Sequence, residues 1–224
     1  MFILDRLFSR KTHYKAGGLM LEDIPDSAPL MKEPDRFVAP RKLDFRDMCI
    51  QTSNQGKTPH CAGYSTAGHI EVLNWKVKHY PEQEDGDAIY KEAKTFDGYD
   101  GPGTFLKDAV QAAINLNLVK GVGKYIAAGR KDVKFAIHQY TTCVAGFNIT
   151  NEWNEVEKKT GYIRDLGDQA VTRGGHAVLI CGYDEHGIYI QNSWGEEWGI
   201  FGFAILRWEQ FDRQFRNGMV IVTE

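Results

Sequence analysis

Gln191-Asn192-Ser193-Trp194-Gly195, followed by Trp198-Gly199 and Gly202-Phe203, is the stretch that decides how the rest of the chain is read. It closes an apolar run that predicts a strand over 187–192, where Ile188, Tyr189 and Ile190 have high strand propensity. The turn residues Asp184–Gly187 stand before it, and before them Gly174-Gly175-His176-Ala177 leads into a second apolar run ending at Tyr183. Two strands joined by so tight a turn pair antiparallel, which sets His176 beside Asn192. Glycines flank both residues and permit close backbone approach.

Upstream the periodicity changes. Tyr64, Ala67, Ile70, Leu73 and Val77 recur at helical spacing from Cys61 to His79, and Pro81 marks the end. A second helix is expected from a cap at Asp87 through Lys94. A third begins near Thr104, carries Phe105, Leu106, Ala109, Ala113 and Leu116 inward, and frays at Asn115 and Asn117. A short one is expected over 132–139. Strands follow over 141–149, 177–183, 187–192, 202–206 and 219–223. Helices first and strands later define an α+β chain with a helical lobe and a β-rich, barrel-like lobe. The cleft between such lobes is the default site.

Composition narrows the function. The 224 residues are 42% hydrophobic, which provides a real core and excludes a disordered or low-complexity protein. Lys and Arg number 27 against 30 acids, so neither nucleic acid nor an anionic membrane is the expected partner. No apolar run is long enough to span a bilayer, and Asp5 and Arg6 interrupt the apolar start too early for a secretory signal. The chain therefore reads as cytoplasmic, or exported without a Sec-type signal, and as a monomer. Four cysteines are too few for a disulfide scaffold. Cys143 and Cys181 fall in expected strands and read as reduced core residues, with a Cys143–Cys181 disulfide as the alternative. No cysteine or histidine pair has metal-ligand spacing, so neither metal nor cofactor is expected. Asn148-Ile149-Thr150 matches a glycosylation sequon and reads as chance.

Cys61 is the cysteine in a special place, where an irregular loop becomes the long helix. Unpaired N–H groups and the positive helix end there favour a thiolate. Gln55 offers a side-chain amide six residues before it. Amide, cysteine, histidine and asparagine thus occur in the order Gln55, Cys61, His176, Asn192.

On these motifs the chain resembles the papain-like cysteine peptidases from Leu43 to Glu224. The resemblance lies in Asn54-Gln55-Gly56, then Cys61-Ala62-Gly63-Tyr64-Ser65, in Gly175-His176-Ala177-Val178, and in the Asn192-Ser193-Trp194-Gly195 motif. It implies a two-lobed papain-like catalytic domain over 43–224 that hydrolyses peptide bonds. Cys61 is then the nucleophile, held with His176 as thiolate and imidazolium, and His176 later protonates the leaving amine. Asn192 orients the imidazole, and Trp194 covers that contact. Gln55 and the Cys61 backbone N–H donate to the oxyanion, one such donor being worth about 3 kcal/mol of barrier. Gly101, Gly103 and Gly175 border the substrate backbone, and Ala177 lines the pocket for the second residue before the cut. Transfer of the acyl group to an amine, and a catalytically silent binding protein, are the rival readings.

Several positions depart from the family. Thr58-Pro59-His60 stands where the family usually has Cys-Gly-Ser, so the loop disulfide is missing at Thr58. His60 reads either as a solvated loop histidine or as a second imidazole tuning Cys61. His176 follows Cys61 by 115 positions and Asn192 by 131, against about 130 and about 150 in the family. Residues 1–42 form an arm rich in proline, about half the length of a full prosegment. The arm either clamps the two lobes together or reaches the cleft and occludes it.

Overall fold

A computed structural model describes residues 16–22, 24, 28–49, 52–79, 82–119 and 123–223. The apolar start from Phe2 to Phe8, Pro25 and Pro81 lie outside them. Three helices come first: α1 (Cys61–Lys78), α2 (Gly86–Lys94) and α3 (Leu106–Asn115). The first three turns of α1 are buried almost all round, because the helix is wedged between the sheet and its two partners. Only its last turn emerges, leaving Val77 exposed instead of facing inward. The cap of α2 is Asp85 and not Asp87, since the Asp85 carboxylate accepts from the N–H groups of Asp87 and Ala88. Helix α3 starts two residues later than its spacing suggests, because Thr104 is held extended by a neighbouring strand of chain.

The strands are β1 (Leu43–Asp44), β2 (Gly123–Ala128), β3 (Cys143–Thr150), β4 (Thr172–Tyr183), β5 (Gly187–Gln191), β6 (Phe203–Arg207) and β7 (Phe215–Thr223). Helix α4 (Val133–Tyr140) precedes β3, and α5 (Trp208–Gln214) separates β6 from β7. The strands make one antiparallel sheet in the order β2-β7-β3-β4-β5-β6, with β1 paired to the end of β4. β1, β2 and α5 have no counterpart in the sequence reading, being short or weakly periodic. Helices first and a β-rich lobe after them is the α+β arrangement expected, with a sheet that stays open among the described residues. Its β2 edge is occupied instead by residues 29–31: Met31 donates to the Ala127 carbonyl and Ala127 to that of Pro29, both at 2.8 Å.

Strand β4 serves two cores through its two-residue alternation. Val178 and Ile180 face a core with Phe147, Trp153 and Phe211, while Ala177 and Leu179 face one with Cys61, Ile70 and Leu106. The same alternation separates Cys143 from Cys181. Cys143 pairs with Ile180, so Cys181 projects from the opposite face, and all four cysteines are free. The nearest thiol to Cys181 is that of Cys49, brought there by the backbone bond from Phe45 N–H to the Cys181 carbonyl.

Candidate active site

Cys61 opens α1 and is wholly buried. Backbone N–H groups of Ala177, Ala62 and Cys61 itself turn toward its sulfur. Ala177 is the residue after His176 on β4, so the thiol meets the histidine's own strand. The β4–β5 pairing of Leu179 with Gln191 carries the chain from Asn192 back alongside His176. His176 Nε2 lies 2.8 Å from Asn192 Oδ1, which also accepts from the Ser193 N–H at 2.8 Å. An acceptor on that side fixes the proton on Nε2 and leaves the lone pair of Nδ1 available. Nδ1 is buried and has no hydrogen-bond partner.

Aromatic rings seal this pair. The Trp194 ring lies 4.6 Å from the His176 ring, and Trp153 meets it edge-on at 6.0 Å. Trp198 stacks on Trp153, and its Nε1 donates to the Trp153 carbonyl at 2.8 Å. Burial pushes the Cys61 thiol up to about 11 and holds His176 down at about 4. Both shifts, upward for the thiol and downward for the imidazole, run against charging the pair while the site is covered. In a site this dry both groups are more stable uncharged, the charged forms having lost their water.

Gln55 is also buried, and its orientation is set from both ends. Its Oε1 accepts from Ser193 Oγ at 2.6 Å and its Nε2 donates to the Thr58 carbonyl at 2.8 Å. One amide proton remains for another acceptor. His60 departs from the solvated reading, with a side chain only 17% exposed.

The cleft is occupied by the chain's own arm. Gly17 and Leu19 both donate to the Gly175 carbonyl, at 2.9 and 3.3 Å, on the β side. Met20 donates to the Thr104 carbonyl at 3.0 Å, and Thr104 to that of Gly18 at 3.3 Å, on the helical side. Leu19 is buried in the core that holds Cys61 and Ala177. The approach leaves no room for side chains. A Cβ on Gly18 would stand 2.6 Å from the Pro59 carbonyl oxygen, and one on Gly175 would stand 2.0 Å from that of Leu19. The arm therefore touches both lobes and also crosses the cleft beside the nucleophile loop.

Of the residues singled out from sequence, Cys61, His176, Asn192, Gln55, Trp194, Ala177, Gly175 and Gly103 are brought together. Gly101 packs on the Tyr99 ring and has no contact with the arm among those described, while Lys94 Nζ donates to the carbonyls of both Gly101 and Gly103 at 3.2 Å. Sequence reasoning missed Ser193, Thr104 and Leu19. Ser193 stands inside the motif already quoted, and the Gly17-Gly18 pair marks the close crossing. Thr104 acts through its backbone, which no residue type reveals.

Residues 82–219 match the profile described as Papain family cysteine protease. The match includes His176 and Asn192 and begins after Cys61. No curated protein matches the chain. Among solved structures, xylellain, a cysteine protease from Xylella fastidiosa, is similar at TM-score 0.79 and 19% identity, over 93% of this chain and 96% of that one. Procathepsin B S9 from Trypanosoma congolense is similar at TM-score 0.71 and 16% identity, over 92% and 87%. Procathepsin L 3 of Tenebrio molitor larval midgut is similar at TM-score 0.70 and 13% identity, over 92% and 76%. At these identities the likeness is one of fold.

Proposed function

Because the chain belongs to the papain family of cysteine proteases, we propose that it hydrolyses peptide bonds through a thioester on Cys61. One observation carries the reading. The unpartnered Nδ1 of His176, oriented by Asn192, lies on the strand that meets the Cys61 sulfur, at the floor of a cleft already holding an extended peptide segment.

In this reading Nδ1 takes the Cys61 proton once the arm leaves and water re-enters. The thiolate attacks the substrate carbonyl, and the free Gln55 amide proton and the Cys61 N–H receive the oxyanion. His176 then returns its proton to the leaving amine, and water hydrolyses the thioester. The substrate backbone takes the place of the arm on Gly175 and Thr104, with Gly103 and Ala177 beside it. Residues 43–224 are the catalytic unit, acting as a monomer, and the described residues of the 1–42 arm are an intramolecular cover. Free cysteines suit a reducing compartment such as the cytoplasm. Among the described residues no helix is long and apolar enough to cross a membrane.

An epoxide inhibitor of cysteine peptidases, with the adduct located by mass spectrometry, tests this. Labelling at Cys61 that disappears in Cys61→Ser, together with hydrolysis of a peptide library, is the expected result. A Cys61 that stays unlabelled in a folded chain lacking residues 1–40, or products that appear only with an added amine, would remove the hydrolase reading.

A further inference from the structure

His60 directly precedes the nucleophile, and the proposed peptidase chemistry assigns it nothing. Its ring lies flat on that of Tyr90, with centroids 3.8 Å apart and planes 22° from parallel. Its Nδ1 is 2.6 Å from Asp87 Oδ1. That bond is the main cause holding the Asp87 carboxyl below its ordinary range, so Asp87 is ionised and His60 is the donor. Tyr64, in the first turn of α1, bonds to the same carboxylate. Tyr90 in turn accepts the Gly103 N–H on its hydroxyl at 3.1 Å. Gly103 adjoins Thr104, whose N–H and carbonyl grip the extended segment in the cleft.

These contacts form a continuous path. It runs from the residue that caps α1, through α2, to the backbone that borders the cleft on the helical side. His60 has no side-chain bond to the end of its own helix. Its imidazole is committed across the gap to α2.

We propose that His60 is a positioning residue. Through Asp87 it fixes the first turn of α1 and the aim of Cys61, and through Tyr90 it fixes the Gly103–Thr104 edge that binds the peptide backbone. The inference rests on the peptidase reading. It divides the work of one side chain between two kinetic constants. The Asp87 bond governs alignment of the nucleophile, read in kcat, and the Tyr90 stack governs the binding edge, read in KM.

The test uses the full chain carrying Leu19→Asp, which vacates the cleft, as the parent. His60→Ala, His60→Asn, Asp87→Asn and Tyr90→Phe are made in it. Tyr90→Phe keeps the stack and removes the acceptor of the Gly103 N–H, so KM rises roughly fivefold with kcat within about twofold. Asp87→Asn and His60→Ala lower kcat about tenfold. Asparagine places a donor near Nδ1 of the lost ring but cannot stack. His60→Asn therefore recovers kcat to within about threefold of the parent and keeps the raised KM. Thermal unfolding of each variant corrects the rates for the folded fraction.

A His60→Ala variant with both constants within about twofold of the parent overturns the proposal. So do losses that track the folded fraction alone without a kcat–KM split. If His60→Ala does not fold, His60→Asn and Tyr90→Phe still decide it. If the parent neither hydrolyses peptides nor takes an epoxide on Cys61, the peptidase reading fails first and this one falls with it.

Discussion

Gly18→Ala is the sharpest perturbation of the covered cleft, because it alters the arm and leaves every group of the catalytic unit in place. The added Cβ would meet the Pro59 carbonyl oxygen, carbonyl carbon and Cα at 2.6, 2.7 and 2.8 Å, all rigid backbone. The arm has to lift. Lifting it gives up the buried Leu19 side chain, worth about 2 kcal/mol. It also gives up four backbone hydrogen bonds to Gly175 and Thr104, which water largely replaces, for a net of about 1 kcal/mol more. A loss of about 3 kcal/mol raises the open fraction roughly a hundredfold. The assay is the rate of Cys61 alkylation by iodoacetamide, read by peptide mapping, with the half-buried Cys49 as internal reference and Val38→Ala as a control on a fully surface arm residue. Cys61 labelling is expected to rise by up to that factor, and peptide hydrolysis with it. Deleting residues 1–40 is the cruder form of the same experiment. A folded Gly18→Ala protein whose Cys61 reacts within about twofold of the parent refutes the reasoning, since it means that the arm does not control access to the thiol.

Asn192→Ala removes the acceptor that fixes the His176 tautomer, so kcat should fall at least tenfold with KM little changed; a steady-state comparison on one peptide decides it. Ser193→Ala releases the Oε1 end of Gln55, and about a tenfold loss in kcat is expected; equal rates would show that the Thr58 contact alone orients the amide. Stability should be nearly flat between about pH 4.5 and 6. There His69 and His176, held down at about 3 and about 4, bind fewer protons folded than unfolded, while Glu71 and Asp108, raised to about 7 and about 6, bind more. Below that window the histidines are joined by Asp44, Asp87, Asp97, Asp165 and Asp184, whose carboxyls are held below their ordinary range, and stability falls as the pH drops. Urea midpoints at pH 7, 5.5 and 4 check this, and a midpoint already lost at 5.5 contradicts it.

Particular residues show why some of this was legible in the sequence and some was not. The Asn192 motif and the His176 run are strand signals flanked by a turn, so their pairing and their proximity follow from local chemistry. The two lobes were legible for the same reason, since periodicity changes from helical to strand-like after α3. The upward shift of Cys61 and the downward shift of His176 were not legible, because they depend on how deeply the site is buried. That is decided by Trp194 and by an arm more than 40 positions before the nucleophile. The arm's path was hidden because it is made by backbone groups of Gly17, Leu19 and Thr104, which every residue type carries. His60 looked like a solvated loop residue because its partners, Asp87 and Tyr90, come from another helix.

The covered cleft and the opposed shifts of Cys61 and His176 share one cause, which is burial. While Leu19 and the crossing backbone cover the site, burial raises the Cys61 thiol and lowers the His176 imidazole, which disfavours both charged forms. In the proposed reading, lifting the arm frees the backbone acceptors and donors of Gly175 and Thr104 and, by letting water reach the site, favours proton transfer from Cys61 to His176. Access and activation are thereby coupled without a separate switch. In the proposed reading a peptide competes with the arm for the same few backbone groups. The coupling predicts that arm substitutions graded by Leu19 volume (Leu19→Val, then Leu19→Ala) raise alkylation of Cys61 and peptide hydrolysis in constant proportion. A variant that raises one without the other would show that opening and activation are separate steps.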